Sequence, residues 1–184
     1  MKTVIAINAS PNTDGLTATC AQEFLAGAAA AGAETELIHL NQLDIKHCQQ
    51  CMNGWGICRT EGKCVLVDDF EAVRQKLFAA DAWALANPVY FGDLSESAKA
   101  FTDRLRRTNI GDAQKRLAGK DFVALAAAGG SGGGVSTCLM ALDRLCQHTG
   151  QRVADLLGIT RRNRAYKLGC IRECGKSVVE QEWE

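Results

Sequence analysis

No apolar stretch in this chain approaches the roughly 20 residues that a membrane-spanning helix needs, so no membrane association through a helical span is expected. Charge of one sign is missing as well. The 21 Lys and Arg residues balance 21 Asp and Glu, and neither sign forms a long run. That balance argues against nucleic acid as a partner and against adhesion to a membrane surface. Only two prolines occur, and no Pro-, Ser- or Gly-rich linker or internal repeat divides the chain. A sequence of 184 residues is long enough for one sizeable core and short for two, so a single domain over 1–184 is expected. The apolar run within Met1–Asn8 is too short for a signal peptide and leads straight into structure, which points to a cytoplasmic location.

Cysteine is what the chain has in excess. There are nine, an odd count that excludes complete internal pairing, and in a reducing compartment so many thiols point to metal or redox chemistry. Four of them, Cys48, Cys51, Cys58 and Cys64, fall in one short segment with the spacing C-x2-C-x6-C-x5-C. A 4Fe–4S cluster needs four thiolates around a cubane, and a long irregular loop can wrap one. Structural zinc also accepts four thiolates, often as two C-x2-C knuckles, of which only one is present. Free thiols in a surface loop are the third reading, and the residues alone leave all three open. Cys20, Cys138 and Cys146 fall on expected helices and read as small buried apolar residues.

The rest of the chain alternates strands with helices. Strands are expected at Val4–Ile7, Thr35–Leu40, Ala82–Ala86, Phe122–Ala127 and Arg152–Ile159. Helices are expected at Leu16–Ala31, from Asp68–Asp69 to Ala80, at Ser95–Arg107 with Ser95 as cap, and at Ser136–Thr149. The cysteine segment forms an irregular insertion at about 44–67, and a basic, mixed tail runs from about 160. This order predicts an α/β protein, a flavodoxin-like doubly wound five-stranded parallel sheet with helices on both faces. In such a fold ligands sit at the carboxyl ends of the strands, near the switch in strand order.

Three loops at that edge stand out. Ser10–Thr17 lies between a buried strand and a helix, where a phosphate would meet backbone amides, the helix dipole and the hydroxyls of Ser10, Thr13 and Thr17. It carries neither G-x-x-x-x-G-K-[ST] nor G-x-G-x-x-G. Asn87-Pro88-Val89-Tyr90-Phe91-Gly92 offers two aromatics and a glycine, which suits a flat ring system. Ala128–Gly134 is glycine-rich enough for close ligand approach and has no Lys or Arg for a second phosphate.

These loops resemble those of the NADPH-dependent FMN reductase and iron–sulfur flavoprotein group. Ser10, Pro11, Gly15 and Thr17 match its S-P-R-x-x-G-N-[ST] loop, with Asn12 and Leu16 in place of arginine and asparagine. Pro88 to Gly92, followed by Lys99, Phe101, Asp103 and Arg104, is similar to its P-V-Y-[WF]-G…K-x-F-x-D-R signature. The four cysteines align with its C-x2-C-x2-C-x5-C motif if four residues within Met52–Ile57 are inserted, and Gly62, Cys64 and Asp68-Asp69-Phe70 continue that pattern. The resemblance implies an FMN site made by Ser10, Asn12, Thr13, Gly15, Leu16, Thr17, Pro88, Val89, Tyr90, Phe91, Gly92, Gly129, Gly130 and Gly132. It implies NAD(P)H as co-substrate, a 4Fe–4S cluster on Cys48, Cys51, Cys58 and Cys64, a small-molecule or protein electron acceptor, and a homodimer or homotetramer. A non-enzymatic FMN/Fe–S electron carrier and a zinc-stabilised binding module are the alternatives.

Overall fold

The computed structural model describes residues 1–110 and 115–181. Its sheet consists of β1 (Thr3–Asn8), β2 (Glu34–His39), β3 (Ala82–Pro88), β4 (Asp121–Ala128) and β5 (Arg152–Thr160). All pairings are parallel and the order is β2-β1-β3-β4-β5. Helices α1 (Leu16–Ala30), α2 (Ile57–Thr60), α3 (Phe70–Ala79), α4 (Glu96–Thr108), α5 (Val135–Thr149) and α6 (Arg164–Glu180) complete the described architecture. The expected flavodoxin-like fold is the observed one.

Side chains alternate along each strand, so every central strand feeds two cores. Ile5, Ile7, Trp83, Leu85 and Phe122 face α3, α4 and α5, meeting Phe70, Leu77, Phe101, Leu105 and Leu142. On the other face Val4, Ala6, Ala84, Ala86, Val123 and Leu125 meet Phe24 and Ala28 of α1 and Ile171 and Val178 of α6. The small alanines on this second face let the alanine-rich α1 lie close to the sheet. β1, β3 and β4 are buried on both faces, which explains their near-continuous apolar runs.

The stretch expected as a tail after about residue 160 is corrected by the structure: most of it is the 17-residue helix α6. Its buried stripe is thin, with Ile171, Gly175 and Val178 buried. A Cβ on Gly175 would lie 1.9 Å from the carbonyl oxygen of Phe24, and one on Gly27 would lie 1.8 Å from that of Arg172. The two helices thus meet backbone to backbone at reciprocal glycines. Residues 182–184 of the expected tail lie outside the described residues. Among those described, no helix is long and apolar enough to cross a membrane.

Candidate functional site

The carboxyl ends of β1, β3 and β4 lie along one edge of the sheet, and the strand order reverses between β1 and β3. After β1 the chain is shaped by its own side chains. Asn8, fully buried, accepts from the Ser10 amide at 3.1 Å and donates to the Asn12 carbonyl and to His39 Nδ1, both at 3.1 Å. The Asn12 amide donates to Ser10 Oγ at 3.2 Å. These bonds curl residues 8–12 and deliver the chain to Gly15, the α1 N-cap. No side chain caps α1, so its first-turn amides remain for a ligand or water. Thr17 is buried, whereas Asn12 and Thr13 are exposed.

β3 runs two residues further than expected, to Pro88. Asn87, fully buried, accepts from the Ser95 amide and hydroxyl at 3.1 and 3.2 Å. The same hydroxyl lies 3.0 Å from the Ala9 carbonyl, so its single proton is shared between the two acceptors and ties the loop after β3 to the end of β1. Its Oγ also accepts from the Ala98 amide, the expected cap of α4. Tyr90 and Asp93 exchange backbone hydrogen bonds, which closes a tight turn with Phe91 and Gly92 at φ of 52° and 81°. Two central residues at positive φ are the mark of a type I′ turn, a strained choice for phenylalanine. Phe91 projects into solvent from its tip and Tyr90 is 42% exposed.

The loop after β4 leans on this turn. A Cβ on Gly134 would sit 2.4 Å from the Gly92 Cα, so the two loops interlock through glycines. A Cβ on Gly129 or Gly130 would meet nothing within 4 Å, so the backbone of both lies open at the edge. A Cβ on Gly132 would lie 3.2 Å from the Thr160 methyl at the end of β5. The expected flavin-site residues of the first loop thus flank β1, and those of the second and third form one surface beside them.

The four loop cysteines line a single pocket together with Ile57, Val65, Leu66, Arg104 and Arg107. Met52 and Asn53 stand in solvent on a 3-10 turn, while Gly56 is buried with its Cβ position 3.2 Å from that of Cys51. Among the described residues, no three His, Cys, Asp or Glu side chains converge tightly enough for a single metal ion. Four thiols around one apolar pocket are the donor set that a 4Fe–4S cubane takes. Four of the other five thiols are set apart: burial pushes Cys20, Cys146 and Cys174 up to about 12 and Cys138 up to about 11, out of the reactive range.

Arg104, on α4 and 1% exposed, closes the cysteine segment. It donates to both carboxylate oxygens of Asp68, at 2.6 and 2.9 Å, and to the Lys46 carbonyl at 2.9 Å, over the face of Phe70. Burial opposes ionisation of Asp68, yet its bonds from Arg104 and from the Lys46 and Phe70 amides hold its carboxyl below the usual range. Trp55, in the insertion, lies under Arg107 at 4.1 Å, with Arg59 and Arg106 at 5.8 and 5.7 Å. The pocket is not beside the flavin loops along the chain. Arg104 follows Ser95 by nine residues of helix, which separates the two regions by about 14 Å along α4.

A family model described as NADPH-dependent FMN reductase matches residues 2–156. The chain belongs to this family. It is 38% identical over 108 residues to an iron-sulfur flavoprotein of Methanocaldococcus jannaschii, a stretch covering 59% of this chain and 54% of that protein. It is 33% identical over 142 residues to an iron-sulfur flavoprotein of Archaeoglobus fulgidus, covering 76% of this chain and 65% of the relative. The chain therefore spans between half and two thirds of the length of these relatives. The fold is shared with an NAD(P)H:quinone oxidoreductase from Methanothermobacter marburgensis at a TM-score of 0.71 and 16% identity, over 99% of both chains.

For this FMN reductase family member, sequence reasoning found the three loops and the four cysteines but missed what fixes them. Asn8 and Asn87 are buried polar residues at strand ends, and Asp68, just before α3, has a buried side chain. Asparagine at the end of an apolar run is the signal available for the first two. Asp68 was legible as a helix opener and as part of the family pattern, but its pairing was not, because its partner Arg104 lies 36 residues further on.

Proposed function

We propose that this protein is an FMN-dependent oxidoreductase. It takes reducing equivalents from NAD(P)H and passes them to a small-molecule or protein acceptor, with a 4Fe–4S cluster in the cysteine pocket. One observation carries the flavin part: loops of the family's type border the β1/β3 switch point, the ligand crevice of a doubly wound sheet. Membership of the FMN reductase family and the curated iron-sulfur relatives support the chemistry.

The first-turn amides of α1, with Ser10, Asn12, Thr13, Gly15, Leu16 and Thr17 around them, would hold the FMN phosphate. Pro88 to Gly92 would border the ring, and Gly129, Gly130 and Gly132 would admit it without a side chain in the way. Asn8, Asn87 and Ser95 keep these loops in place before any ligand arrives, so little order remains to be imposed on binding. Cys48, Cys51, Cys58 and Cys64 would ligate the cluster, and the apolar Ile57, Val65 and Leu66 would keep water from it. Bound flavin supplies hydride and electron chemistry and a cluster supplies single-electron transfer, so the chain's part is position and environment. A homodimer or homotetramer would cover the exposed Phe91 and Tyr90 at this edge. Nine free cysteines agree with a reducing cytoplasm.

Anaerobic purification tests the reading, with an absorption spectrum, iron and sulfide analysis, and titration with NADPH and NADH. Yellow-brown protein whose flavin bleaches on adding reduced nicotinamide is the expected result. Colourless protein that refuses added FMN would sink the proposal, and yellow protein without iron would remove the cluster from it.

A further inference from the structure

Arg104 Nε is a buried side-chain polar atom with no hydrogen-bond partner, and it is the one such atom among the described residues. Buried donors are normally paired, so an orphan on a residue otherwise so fully engaged calls for an acceptor. Asp68 cannot supply it. Oδ1 already accepts from Arg104 Nη2 and the Phe70 amide, and Oδ2 from Arg104 Nη1 and the Lys46 amide, which fills the carboxylate's four lone-pair sites. The Phe70 ring covers one face of the guanidinium. What remains is the pocket that Arg104 lines with the four cysteines.

We propose that Arg104 is a positioning residue of the cysteine pocket, whose Nε–H donates to the Cys64 sulfur once that sulfur is a cluster-bound thiolate. This rests on the cluster reading above. Arginine keeps its charge in proteins, and Cys64 is the pocket thiol that acts on the Arg104 guanidinium by charge and by hydrogen bonding. The same side chain grips Lys46, two residues before Cys48, and Asp68, four residues after Cys64. It thereby fixes both ends of the ligand loop while aiming a donor into it. Hydrogen bonds to cluster sulfurs favour the more negative, reduced state and so raise the reduction potential. Arg104 therefore sets the potential as well as the loop geometry.

The test is potentiometric titration of the reconstituted cluster, followed by the EPR signal of its reduced form. Arg104→Lys keeps the charge but loses the Nε donor, and Arg104→Met loses both. Both variants are expected to titrate at more negative potential than wild type, Met further than Lys. Variants that hold iron and sulfide but titrate at the wild-type potential overturn the assignment, because a residue that only staples the loop would leave the potential alone. If the variants fail to assemble a cluster, the wild-type protein itself is measured, labelled with 15N-guanidino arginine. Pulsed EPR is expected to show a 15N coupling that persists in Arg107→Lys, which removes the other arginine at the pocket. Absence of the coupling, or its loss in Arg107→Lys, overturns the proposal. Wild-type protein that takes up no iron or sulfide overturns the cluster reading itself, an outcome distinct from an unshifted potential.

Discussion

Asp68 accepts four hydrogen bonds with its side chain fully buried, and one of its donors is an equally buried guanidinium. Truncating one member of such a pair strands the other, and Asp68→Ala is expected to cost about 3–5 kcal/mol, read as a lowered urea midpoint. The pH dependence follows from the direction of the shift. The folded-state pKa lies below the unfolded value of about 3.9, so the stabilisation is complete above that value and is lost as pH falls through the folded pKa. The gap between wild type and Asp68→Ala should accordingly be full at neutral pH and close on acidification. A gap that stays constant to low pH would count against an ionised Asp68. Phe91 makes the opposite case. Its φ of 52° costs an L-residue about 1–2 kcal/mol, with its ring in solvent and no packing to offset the strain. Phe91→Gly is expected to stabilise the fold by about 1 kcal/mol, read as a raised unfolding midpoint, while weakening FMN binding, measured by flavin fluorescence. Unchanged FMN affinity would remove the aromatic from the site. The sequence showed Phe91 as a ring-facing aromatic and Asp68 as a residue opening a helix. Neither the strain of the one nor the distant partner of the other is written locally.

The elements with strong local patterns were legible. All five expected strand runs became strands, and the helix capped by Ser95 starts at Glu96 as expected. Helix α6 was not legible, because its contact with α1 depends on missing side chains rather than on an apolar stripe. That contact makes a sharp test within one helix. At Gly175 a Cβ would lie 1.9 Å from a carbonyl oxygen, so Gly175→Ala must push α6 off α1 and is expected to destabilise by about 1–3 kcal/mol. At Gly169 nothing lies within 4 Å, so Gly169→Ala gains helix propensity and is expected to stabilise by up to about 1 kcal/mol. Thermal or urea unfolding of the two variants should move in opposite directions. If both stabilise, the helices do not pack through these glycines.

On the scale of the molecule, the switch point and the cysteine pocket occupy different places on one frame. The sequence told that both exist. It could not tell that they stand apart, since that follows from the direction of α4, which starts beside the flavin loops at Ser95 and ends beside the cysteines at Arg104 to Thr108. The flavin loops are held by Asn8, Asn87 and Ser95, and the pocket by Arg104 and Asp68, with no residue shared between the two sets. The two proposed cofactors should therefore be separable. Cys58→Ser, on the single turn α2, removes one ligand from the pocket and touches nothing that holds the flavin edge. The expected variant lacks iron and sulfide, keeps the wild-type flavin content, and still bleaches when NADPH is added without oxygen. Transfer from the reduced protein to an acceptor served by the cluster should fail, while direct reduction of a small flavin or quinone continues. Flavin lost together with iron would mean that the pocket supports the switch-point loops after all, through contacts that α4 does not show.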